Sequence, residues 1–493
     1  MRKLITLVVL GFCLSTSAQI TWVGSNDIAS NIYGNMHPRM STDRQGNPLV
    51  VWGRMSDQSV LFSKWNGTMF TTPVKLNPSW LSVATASWMG SDIASHGDTV
   101  YVVVKRIPEA SDTNRMFIFT SFDGGVSFKS PVEFGFIGDS ISRFPTVTTD
   151  AGGNPIVAFM KFDPSLMDSR WVVSKSNDFG KTFTTDVKAS GWGASAEVCD
   201  CCPGSIISSG NSCAMLYRDN NKNIRDDWAS ISANNATSFT SGFALENNKW
   251  MLTTCPSSGP DGVLIGDTLY STFMSGASGK YRIFLSKSSM SSGAMSNVSN
   301  LMGTITGLSQ QNYPRIASDG NALAIVWKQT VVGSLTQLPI LFTNDIAKGL
   351  PTTYDTVDLA NITNADVAMS KGQLFVVWQD DATGTVKYRR ATYNQSTTGL
   401  SSSSADNFRD EEKLHVNLFP NPCDNELNIS LSTNAPFSIT IFNALGQKMY
   451  STQVLDNCQL PVANYPSGLY FTQIIPMAMG TNNKTLIYII IKQ

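Results

Sequence analysis

Seven stretches of this 493-residue sequence share one pattern, and this repetition restricts the fold more than any other feature. Each stretch contains a short strand, a turn of Gly, Asn or Asp, and a strongly apolar strand, as in PRMSTDRQGNPLVVW and PRIASDGNALAIVW. The apolar strands, which recur every 51 to 58 residues, end at Trp52, Val103, Phe159, Tyr217, Phe273, Trp327 and Trp378. A repeat of this length in a chain of short strands is typical of β-propeller blades with about four strands each. The sequence therefore predicts an all-β fold with a seven-bladed propeller over residues 19–393.

The two ends of this repeat region complement each other. The seventh repeat runs through VKYRRATYN without an obvious fourth strand, whereas QITWVGSN, which precedes the first repeat, has the pattern of a strand. We expect this N-terminal strand to complete the last blade, because closing the ring removes sheet edges that would otherwise pair with neighbours. The second repeat is the least typical. If it is an insertion, the propeller has six blades.

The segments that flank the propeller differ from it in composition. Residues 1–18 combine a basic start, an apolar run of about a dozen residues, and the small residues Thr16 and Ala18, a pattern that predicts an export signal cleaved after Ala18. Residues 394–413 are polar and rich in serine, as linkers are. No later stretch has the roughly 20 uninterrupted apolar residues of a membrane helix. We therefore expect export to the periplasm or beyond, without a transmembrane segment.

Residues 414–493 contain short alternating strands separated by Pro-Asn-Pro, Asn-Ala-Leu-Gly and Pro-Ser-Gly turns, which predict a small β-sandwich. The segments FPNP (419–422), GQK (446–448) and GLY (468–470) resemble the recurring motifs of the C-terminal sorting domain of type IX secretion substrates. The resemblance implies that the type IX secretion machinery is a partner and that the protein is secreted or displayed on the outer cell surface. An ordinary terminal carbohydrate-binding sandwich is the alternative interpretation.

A second motif occurs between the third and fourth strands of some repeats. SFDGGVSF and SNDFGKTF fit the pattern Ser-x-Asp-x-Gly-x-Ser/Thr-Phe, and the first and fourth repeats have less regular versions. The pattern resembles the Asp-box, or BNR repeat, of sialidase-like propellers. Its expected role is structural, because the aspartate accepts backbone N–H bonds, the glycine permits positive φ and the phenylalanine packs back on the blade. The residues concerned are Asp123, Gly125, Phe128, Asp178, Gly180 and Phe183.

Candidate ligand-binding residues come from the loops that lead into each first strand and leave each second strand, because these loops surround the central channel of a propeller. They include Arg39, Arg143, Arg218, Arg225 and Arg315. Several arginines would suit an anionic sugar, since a guanidinium can bind a carboxylate through two parallel hydrogen bonds.

The sialidase resemblance implies an arginine motif, an aspartate acid/base and a tyrosine nucleophile activated by a glutamate. The sequence Arg143-Phe144-Pro145 is the best match to the arginine motif, but it lies in the third repeat rather than near the first. Asp219, Asp226 and Glu197 are candidate acids, and each would serve equally well as a salt-bridge partner. Spacing alone assigns no tyrosine–glutamate pair.

Six cysteines are candidates for covalent or metal chemistry. Cys199, Cys201 and Cys202 lie in AEVCDCCPGS, and Cys255 occupies the same kind of loop one blade further on. Cysteines of exported proteins usually form disulfides, so we expect a cross-blade bridge from one of the three to Cys255. Zinc or copper bound by four thiolates is an alternative, although Cys-x-Cys-Cys is not the usual Cys-x-x-Cys chelate. A reactive thiol is the third possibility, and Cys423 and Cys458 in the C-terminal domain are expected to pair with each other.

Composition excludes several classes of function. The 36 basic residues balance 37 acidic ones, so nothing favours a nucleic-acid partner, and three histidines are too few for a histidine-rich metal centre. Apart from a metal at the cysteines, no cofactor is expected. Two hypotheses remain. The first is a secreted sialidase-like propeller that binds a glycan or another anionic ligand, with exo-α-sialidase-like hydrolysis unproven. The second is a non-enzymatic extracellular adhesion or scaffold propeller with a disulfide-clasped loop.

Overall fold

The computed structural model describes residues 20–29, 34–109, 114–135, 140–193, 197–331, 336–395, 416–419, 421–431, 437–444, 447–454, 458–476 and 486–492. The chain divides into two compact units, residues 1–399 and 400–493. The predicted export signal and residues 396–413 of the predicted linker lie outside the described residues. Among the described residues, no helix has the length and apolar character needed to cross a membrane.

In its described part, the first unit consists of seven four-stranded antiparallel sheets, the blades of a propeller. The first strand of the described residues is β1 (Ile20–Asp27), which belongs to the last blade. Blades 1 to 3 contain β2 (Asn35–Thr42), β3 (Pro48–Arg54), β4 (Ser59–Lys64) and β5 (Val74–Lys75); β6 (Asp92–His96), β7 (Thr99–Lys105), β8 (Met116–Ser121) and β9 (Val132–Phe134); and β10 (Ile141–Thr149), β11 (Pro155–Phe162), β12 (Arg170–Lys175) and β13 (Val187–Lys188). Blades 4 and 5 contain β14 (Ser205–Ser209), β15 (Ser212–Arg218), β16 (Asp227–Ser232) and β17 (Ser241–Ala244); and β18 (Asp261–Ile265), β19 (Thr268–Ser275), β20 (Arg282–Ser289) and β21 (Ala294–Asn300). Blade 6 contains β22 (Leu308–Asp319), β23 (Ala322–Val331), β24 (Thr336–Thr343), a 3-10 turn (Ile346–Lys348) and β25 (Asp355–Asp358), and blade 7 contains β26 (Ile362–Ser370), β27 (Gln373–Asp380), β28 (Thr385–Tyr393) and β1.

The ring closes as the sequence predicts. Strand β1 pairs antiparallel with β28, with Ile20 opposite Tyr393 and Asp27 opposite Lys387. The guanidinium of Arg389 lies 4.2 Å from the centre of the Trp22 ring, which adds a cation–π contact between the two ends of the repeat region. The second repeat forms the complete blade 2, so the seven-bladed prediction is confirmed and the six-bladed alternative is wrong.

The hydrophobic core lies between the blades. The residues that end the apolar strand of each repeat are all at most 1% exposed; they are Trp52, Val103, Phe159, Tyr217, Phe273, Trp327 and Trp378. Each neighbouring pair of blades shares one buried hydrophobic cluster. Between blades 1 and 7, for example, the Trp65 ring packs edge-on against Phe375 and Tyr388, at 5.5 and 5.7 Å between ring centres. Burial of apolar surface against both neighbours stabilises every blade, which explains why the inner strands are apolar on both faces.

A polar layer, which we call the inner ring, surrounds the channel. Its members occupy equivalent positions of the first strand in the seven blades and are Arg39, Asp92, Thr146, Ser205, Asp261, Arg315 and Asp366. Four of them accept a hydrogen bond from a backbone N–H of the next blade. These bonds run from Val147 to Asp92 (3.1 Å), from Ile206 to Thr146 (3.5 Å), from Ile316 to Asp261 (3.1 Å) and from Met40 to Asp366 (2.8 Å).

Side chains of the inner ring also bind one another. The Ser205 hydroxyl lies 2.9 Å from Asp261 Oδ1, and the Thr146 hydroxyl lies 2.7 Å from Asp92 Oδ2. Arg315 Nε lies 2.9 Å from Asp366 Oδ1 and 3.3 Å from Asp261 Oδ2. The inner ring therefore connects blades 2 to 7 in succession and connects blade 7 back to blade 1.

Turns on the opposite side hold the outer parts of the blades. In the turn between β8 and β9, the Asp123 carboxylate accepts hydrogen bonds from the N–H and hydroxyl of Ser127, at 2.9 and 2.6 Å. Asp178 makes the equivalent bonds to Thr182 after β12, also at 2.9 and 2.6 Å. Both carboxylates thus satisfy local donors, as the sequence motif leads us to expect of a structural turn.

The phenylalanines of these turns pack into the hydrophobic clusters that their blades share with the preceding blades. Phe128 packs edge-on against Phe62 of blade 1 at 5.0 Å, and Phe183 packs against Phe134 of blade 2 at 5.5 Å. Gly125 has a φ of 80°, and a Cβ at this position would collide with the Phe62 ring. The turns therefore fasten neighbouring blades together, since the same two clusters also contain residues of the blades that carry the phenylalanines.

The second unit is a small domain of two sheets. One sheet contains β29 (Val416–Phe419), β30 (Glu426–Leu431) and β33 (Cys458–Pro461), and the other contains β31 (Phe437–Asn443), β32 (Lys448–Val454), β34 (Gly468–Pro476) and β35 (Leu486–Lys492). Leu427 and Ile429 of the first sheet share a buried cluster with Ile439, Ile474 and Ile490 of the second. The arrangement agrees with the predicted small sandwich.

The predicted bond between Cys423 and Cys458 is not formed in the structure, where both residues are free thiols. Cys458 lies in β33, opposite Ile429. The Cys423 backbone N–H instead donates to the carbonyl of Ile491 in β35, at 2.8 Å. The two cysteines are held by strands of different sheets. Their positions in the two halves of the domain therefore do not predict a bond between them.

The contribution of the inner ring to the stability of the propeller can be tested at Asp366. Asp366→Ala removes the acceptor for Met40 N–H and one carboxylate beside Arg315, so we expect the free energy of unfolding to fall by about 3 kcal/mol. Asp366→Asn retains an acceptor of the same shape and should lose less. The measurement is urea unfolding followed by tryptophan fluorescence. An alanine variant within about 0.5 kcal/mol of the parent would contradict the proposed importance of this contact.

Candidate functional site

The starts of the first strands converge on a central opening of the propeller. The opening contains a cavity of about 60 Å³, which is the space of roughly two water molecules. The larger polar and aromatic side chains on its wall include His37, Arg39, Trp88, Asp92, Tyr313, Arg315 and Asn364. The polar groups on the cavity wall can therefore contact a few ligand atoms, such as a carboxylate or a hydroxyl.

Three strands reach the opening through the same distorted backbone. His37, Phe144 and Tyr313 have φ values of 58°, 55° and 52°, and each precedes a proline. The register of β2, β10 and β22 shifts at these positions, as it does in a β-bulge. A positive φ is uncommon for residues other than glycine, and proline disfavours a right-handed helical conformation in the residue before it. Bulges re-aim side chains, and here they place an imidazole and a phenol on the cavity wall.

The two arginines of the opening differ in their electrostatic surroundings. Arg315 is neutralised by Asp261 and Asp366; burial opposes its charge, but the two carboxylates outweigh burial and raise its pKa. Arg39 donates to the carbonyl of Pro38 and to His37 Nε2, both at 2.8 Å. No ion pair joins Arg39 to a carboxylate of the described residues. Burial and the charge of Arg315 lower the pKa of Arg39 to about 10, so it stays charged at neutral pH.

His37 supports Arg39. Its Nε2 lies at hydrogen-bond distance from the guanidinium and acts as an acceptor, so the ring is neutral. Burial, followed by the charges of Arg39 and Arg315, lowers the pKa of His37 well below its ordinary value. The backbone N–H of His37 donates to Gln379 of blade 7 at 2.8 Å, and a Cβ on Gly90 would collide with the imidazole. The neutral imidazole is thus held in place from two sides.

The structure places the other predicted ligand-binding arginines elsewhere. Arg218 is 1% exposed, forms an ion pair with Asp227 at 3.0 Å, and donates to the carbonyls of Ser258, Arg225 and Met274. The bonds to Ser258 and Met274 join blade 4 to blade 5, and those to Asp227 and Arg225 stay within blade 4. The expectation that Arg218 binds a ligand is corrected, because its guanidinium is buried among these partners and does not line the cavity. Arg143 pairs with Glu109 at 2.9 Å outside the cavity wall. Arg225 is 7% exposed and lies against Cys199.

The three predicted acids do not line the cavity either. Asp226 accepts hydrogen bonds from the backbone N–H groups of Lys249 and Trp250, at 3.1 and 2.9 Å, and so shapes the loop after β17. Glu197 accepts a weak bond of 3.4 Å from the N–H of Asp168. Asp219 is 2% exposed, and burial raises its pKa to about 7. That pKa would suit a general acid, but its side chain is shielded from solvent and from the opening.

The carboxylates that do surround the channel are not among the residues predicted from the sequence. Asp92, Asp261 and Asp366 occupy the same repeat position as Arg39 and Arg315. They could have been found by aligning the seven repeats and comparing the residue that directly precedes the apolar part of each first strand. The three aspartates outnumber the two arginines, so the opening is less cationic than an arginine count suggests.

A cluster of four cysteines lies behind one wall of the opening. Cys201 and Cys255 form a disulfide, which confirms the predicted bridge between the loops of blades 4 and 5. Cys199 and Cys202 are buried thiols, and the four Sγ atoms lie within 4.8 Å of one another. Because two of the four sulfurs are bonded to each other, the structure does not support the alternative of a metal held by four thiolates. Pro203, which follows Cys202, lines the cavity itself.

The C-terminal unit matches a known family of domains. Residues 417–491 match the family model described as a secretion system C-terminal sorting domain. A domain of this kind indicates secretion to the outer surface or the extracellular space, so this chain is exported and interacts with the secretion machinery. None of the curated proteins matches the sequence.

Solved structures resemble the chain at low identity. A protein of unknown function from Dyadobacter fermentans is 12% identical, with a TM-score of 0.44, and the match covers 65% of this chain and 97% of that one. The NanB sialidase from Streptococcus pneumoniae is 11% identical, with a TM-score of 0.40 and coverage of 76% and 71%. The α-L-arabinofuranosidase Arb93A from Fusarium graminearum is 10% identical, with a TM-score of 0.39 and coverage of 76% and 98%. Similarity of this degree transfers no activity to this chain.

The buried carboxyl of Asp219 generates a pH-dependent prediction. Its pKa in the folded protein, about 7, is above its value in the unfolded chain, so its stabilising contribution is present at low pH and is lost as the pH rises through 7. We expect Asp219→Asn to stabilise the protein by about 1 to 3 kcal/mol more at pH 8 than at pH 5, measured from urea midpoints.

Asp178→Asn is the matched control for this measurement. Burial opposes the charge of Asp178, but hydrogen bonds from Thr182, Ser176 and Lys181 outweigh burial and lower its pKa. Its contribution is therefore present at neutral pH and lost in acid, so Asp178→Asn should destabilise the protein at both pH 5 and pH 8. An Asp219→Asn effect that is the same at both pH values would show that this carboxyl is not the titrating group.

Proposed function

We propose that this chain is a secreted or surface-displayed propeller that binds the tip of a glycan, or another small anionic ligand, in its central opening without hydrolysing it. In this proposal, residues 1–18 are the export signal, and the turns of Asp123 and Asp178 are Asp-box turns. The sorting domain supplies the route to the outside of the cell.

The observation that carries the proposal is the state of Arg39. Its guanidinium lies on the cavity wall, is charged at neutral pH and forms no ion pair with a described carboxylate. The neutral His37 fixes one of its nitrogens without cancelling the charge. A ligand carboxylate in the cavity would bind this guanidinium, because hydrogen bonds between ionised groups are roughly twice as strong as those between neutral groups.

A neighbouring hollow supports a ligand longer than the cavity. Tyr313 lines both the central cavity and a polar hollow of about 270 Å³ on blade 6. The hollow is bordered by Asn312, Lys328 and Thr336 among others. We infer that the ligand tip enters the cavity and that the next sugar lies over the Tyr313 ring toward Lys328, since sugars pack their apolar faces on aromatic rings while polar groups fix their hydroxyls.

The arrangement of the acids favours binding over hydrolysis. A tyrosine nucleophile needs a carboxylate at hydrogen-bond distance, and no carboxylate of the described residues accepts a bond from Tyr313. The Tyr393 hydroxyl lies 2.6 Å from a carboxylate oxygen of Asp319, but Asp319 is at the end of β22 that is remote from the cavity. The candidate acids Asp219, Asp226 and Glu197 are absent from the cavity wall.

The test is a glycan array probed with the exported protein, followed by calorimetric titration of the best ligand. We expect ligands with a terminal carboxylate or sulfate to bind, and Arg39→Gln to weaken binding by about tenfold or more, because a hydrogen bond to a charged group contributes roughly 1.5 to 3 kcal/mol. Arg143→Gln is the matched control, since Arg143 is paired with Glu109 outside the cavity, and it should bind as the parent does.

Two outcomes would contradict the proposal, provided that both variants melt as the parent does. One is equal loss of binding in the Arg39 and Arg143 variants, or no loss in either. The other is turnover of a fluorogenic sialoside that disappears in Tyr313→Phe, which would identify the opening as a hydrolytic site.

A further inference from the structure

The sulfur cluster, defined as Cys199, Cys201, Cys202 and Cys255, combines one disulfide with two thiols at short range. Cys199 Sγ lies 2.8 Å from Cys202 Sγ and 3.6 Å from Cys201 Sγ, and Cys201 is bonded to Cys255. Cys199 thus lies between a thiol and a disulfide. Its two possible reaction partners, Cys202 and Cys201, are both within contact distance.

The four cysteines of the cluster differ in their exposure to solvent. Cys199 and Cys202 are 0% and 1% exposed, whereas Cys201 is half-buried and Cys255 is exposed. A reagent in solution therefore meets the disulfide first and is shielded from the two thiols. Chemistry at the buried pair must pass through Cys201 and Cys255 to reach the surface.

Cationic groups favour a thiolate at Cys199. Arg225 Nη1 donates to Cys199 Sγ at 3.1 Å, and Arg225 is itself held by the carbonyl of Leu252. The hydrogen bond from Cys202 lowers the pKa of Cys199, burial opposes this effect, and the charges of Arg225 and Arg218 add to the lowering. Burial raises the pKa of Cys202. The thiolate is the nucleophile in thiol–disulfide exchange, so Cys199 is suited to attack first.

We propose that the sulfur cluster is a thiol–disulfide exchange site in which Cys199 and Cys202 transfer their reducing equivalents through Cys201 to the exposed Cys255, where an external small-molecule or peptide disulfide is reduced. The proposal does not rest on ligand binding in the central opening, although Pro203 connects the cluster to the cavity wall.

The internal steps balance without an oxidant or a reductant. The Cys199 thiolate attacks Cys201 Sγ, a Cys199–Cys201 bond forms, and Cys255 leaves as a thiolate. Cys202 loses its proton to solvent and attacks Cys199 Sγ, a Cys199–Cys202 bond forms, and Cys201 leaves as a thiolate. One disulfide is present before and after, but the two thiols have moved from the buried pair to the outer pair.

The external steps consume one disulfide of the partner. The Cys255 thiolate attacks a sulfur of R–S–S–R, which gives a Cys255–S–S–R mixed disulfide and releases one RS⁻. Cys201 then attacks Cys255 Sγ, which restores the Cys201–Cys255 bond and releases the second RS⁻. The net reaction oxidises Cys199 and Cys202 to a disulfide and reduces R–S–S–R to two thiols.

Dithiobis(nitrobenzoate) is a suitable probe, because each attack on it releases coloured thionitrobenzoate, and peptide mass spectrometry then locates every bond. In the full-length exported protein we expect a Cys199–Cys202 disulfide to form while Cys201–Cys255 is retained, with two equivalents of thionitrobenzoate released from the cluster. Cys213, which is 0% exposed, should stay unmodified under the same conditions and serves as an internal control.

Two variants separate the steps. Cys202→Ser should stop after the first step and accumulate a thionitrobenzoate adduct on Cys255 with a Cys199–Cys201 bond. Cys199→Ser removes the nucleophile, so we expect Cys255 to stay in its disulfide and the reaction of the cluster to slow at least tenfold. Cys213→Ser should react as the parent does. Melting curves of all three variants establish that they are folded.

Three results would overturn the proposal. The first is a Cys199→Ser variant that reacts at the parental rate. The second is an adduct on Cys199 rather than on Cys255 in Cys202→Ser, which would mean direct access to the buried thiol. The third is a purified protein in which all four cysteines are already in disulfides and stay so after mild reduction and reoxidation. Loss of glycan binding alone would leave all three readouts unchanged, so the failure of this proposal and that of the proposed function are distinguishable.

Discussion

The hydrogen bonds from inner-ring side chains to backbone N–H groups of the next blade are the contacts on which the arrangement of the propeller depends. The first strands face a channel, so their innermost N–H groups have no further strand to pair with, and an unpaired buried N–H costs free energy. In blade 1, the backbone N–H of Met40 donates a hydrogen bond to one carboxylate oxygen of Asp366, and the second oxygen of Asp366 binds Arg315. The charges of the channel are thus largely committed to joining blades.

This commitment determines what the opening can bind. Arg315 is matched by two aspartates, so its charge attracts a ligand little. Arg39 occupies the same position of its blade, yet its partners are a carbonyl and a neutral imidazole. The difference arises because Asp366 directs its oxygens toward Met40 N–H and Arg315, and leaves the Arg39 guanidinium to the cavity. Of the two arginines on the cavity wall, Arg39 is therefore the one that forms no ion pair with a described carboxylate, although the charges of Asp366, Asp92 and Asp261 also act on it.

The fold was largely predictable from the sequence, and the site was not. The repeats of apolar strands ending at residues such as Trp52 and Trp327 predicted seven blades, because burial between neighbours imposes the same pattern on each. The cross-blade disulfide followed from loop equivalence. Burial of Arg218 had no such signal, since its acceptors belong to Ser258 and Met274, which are far away in the sequence. The surroundings of a charged side chain depend on such tertiary contacts, and spacing within one repeat does not contain them.

The cysteines and the opening share a wall, which explains why this corner of the propeller departs from the repeat pattern. Pro203 follows Cys202 and lies so close to Gly259 that a Cβ there would collide with the Pro203 carbonyl. Gly259 in turn precedes the loop end that carries Asp261 of the inner ring. The two loops are therefore pressed together between the disulfide on the outside and the Ser205–Asp261 hydrogen bond on the inside. A covalent bond at this position holds the loops of blades 4 and 5 where neither the hydrophobic cluster nor a ladder of strand pairing reaches, and so fixes one side of the cavity without using any of its polar groups.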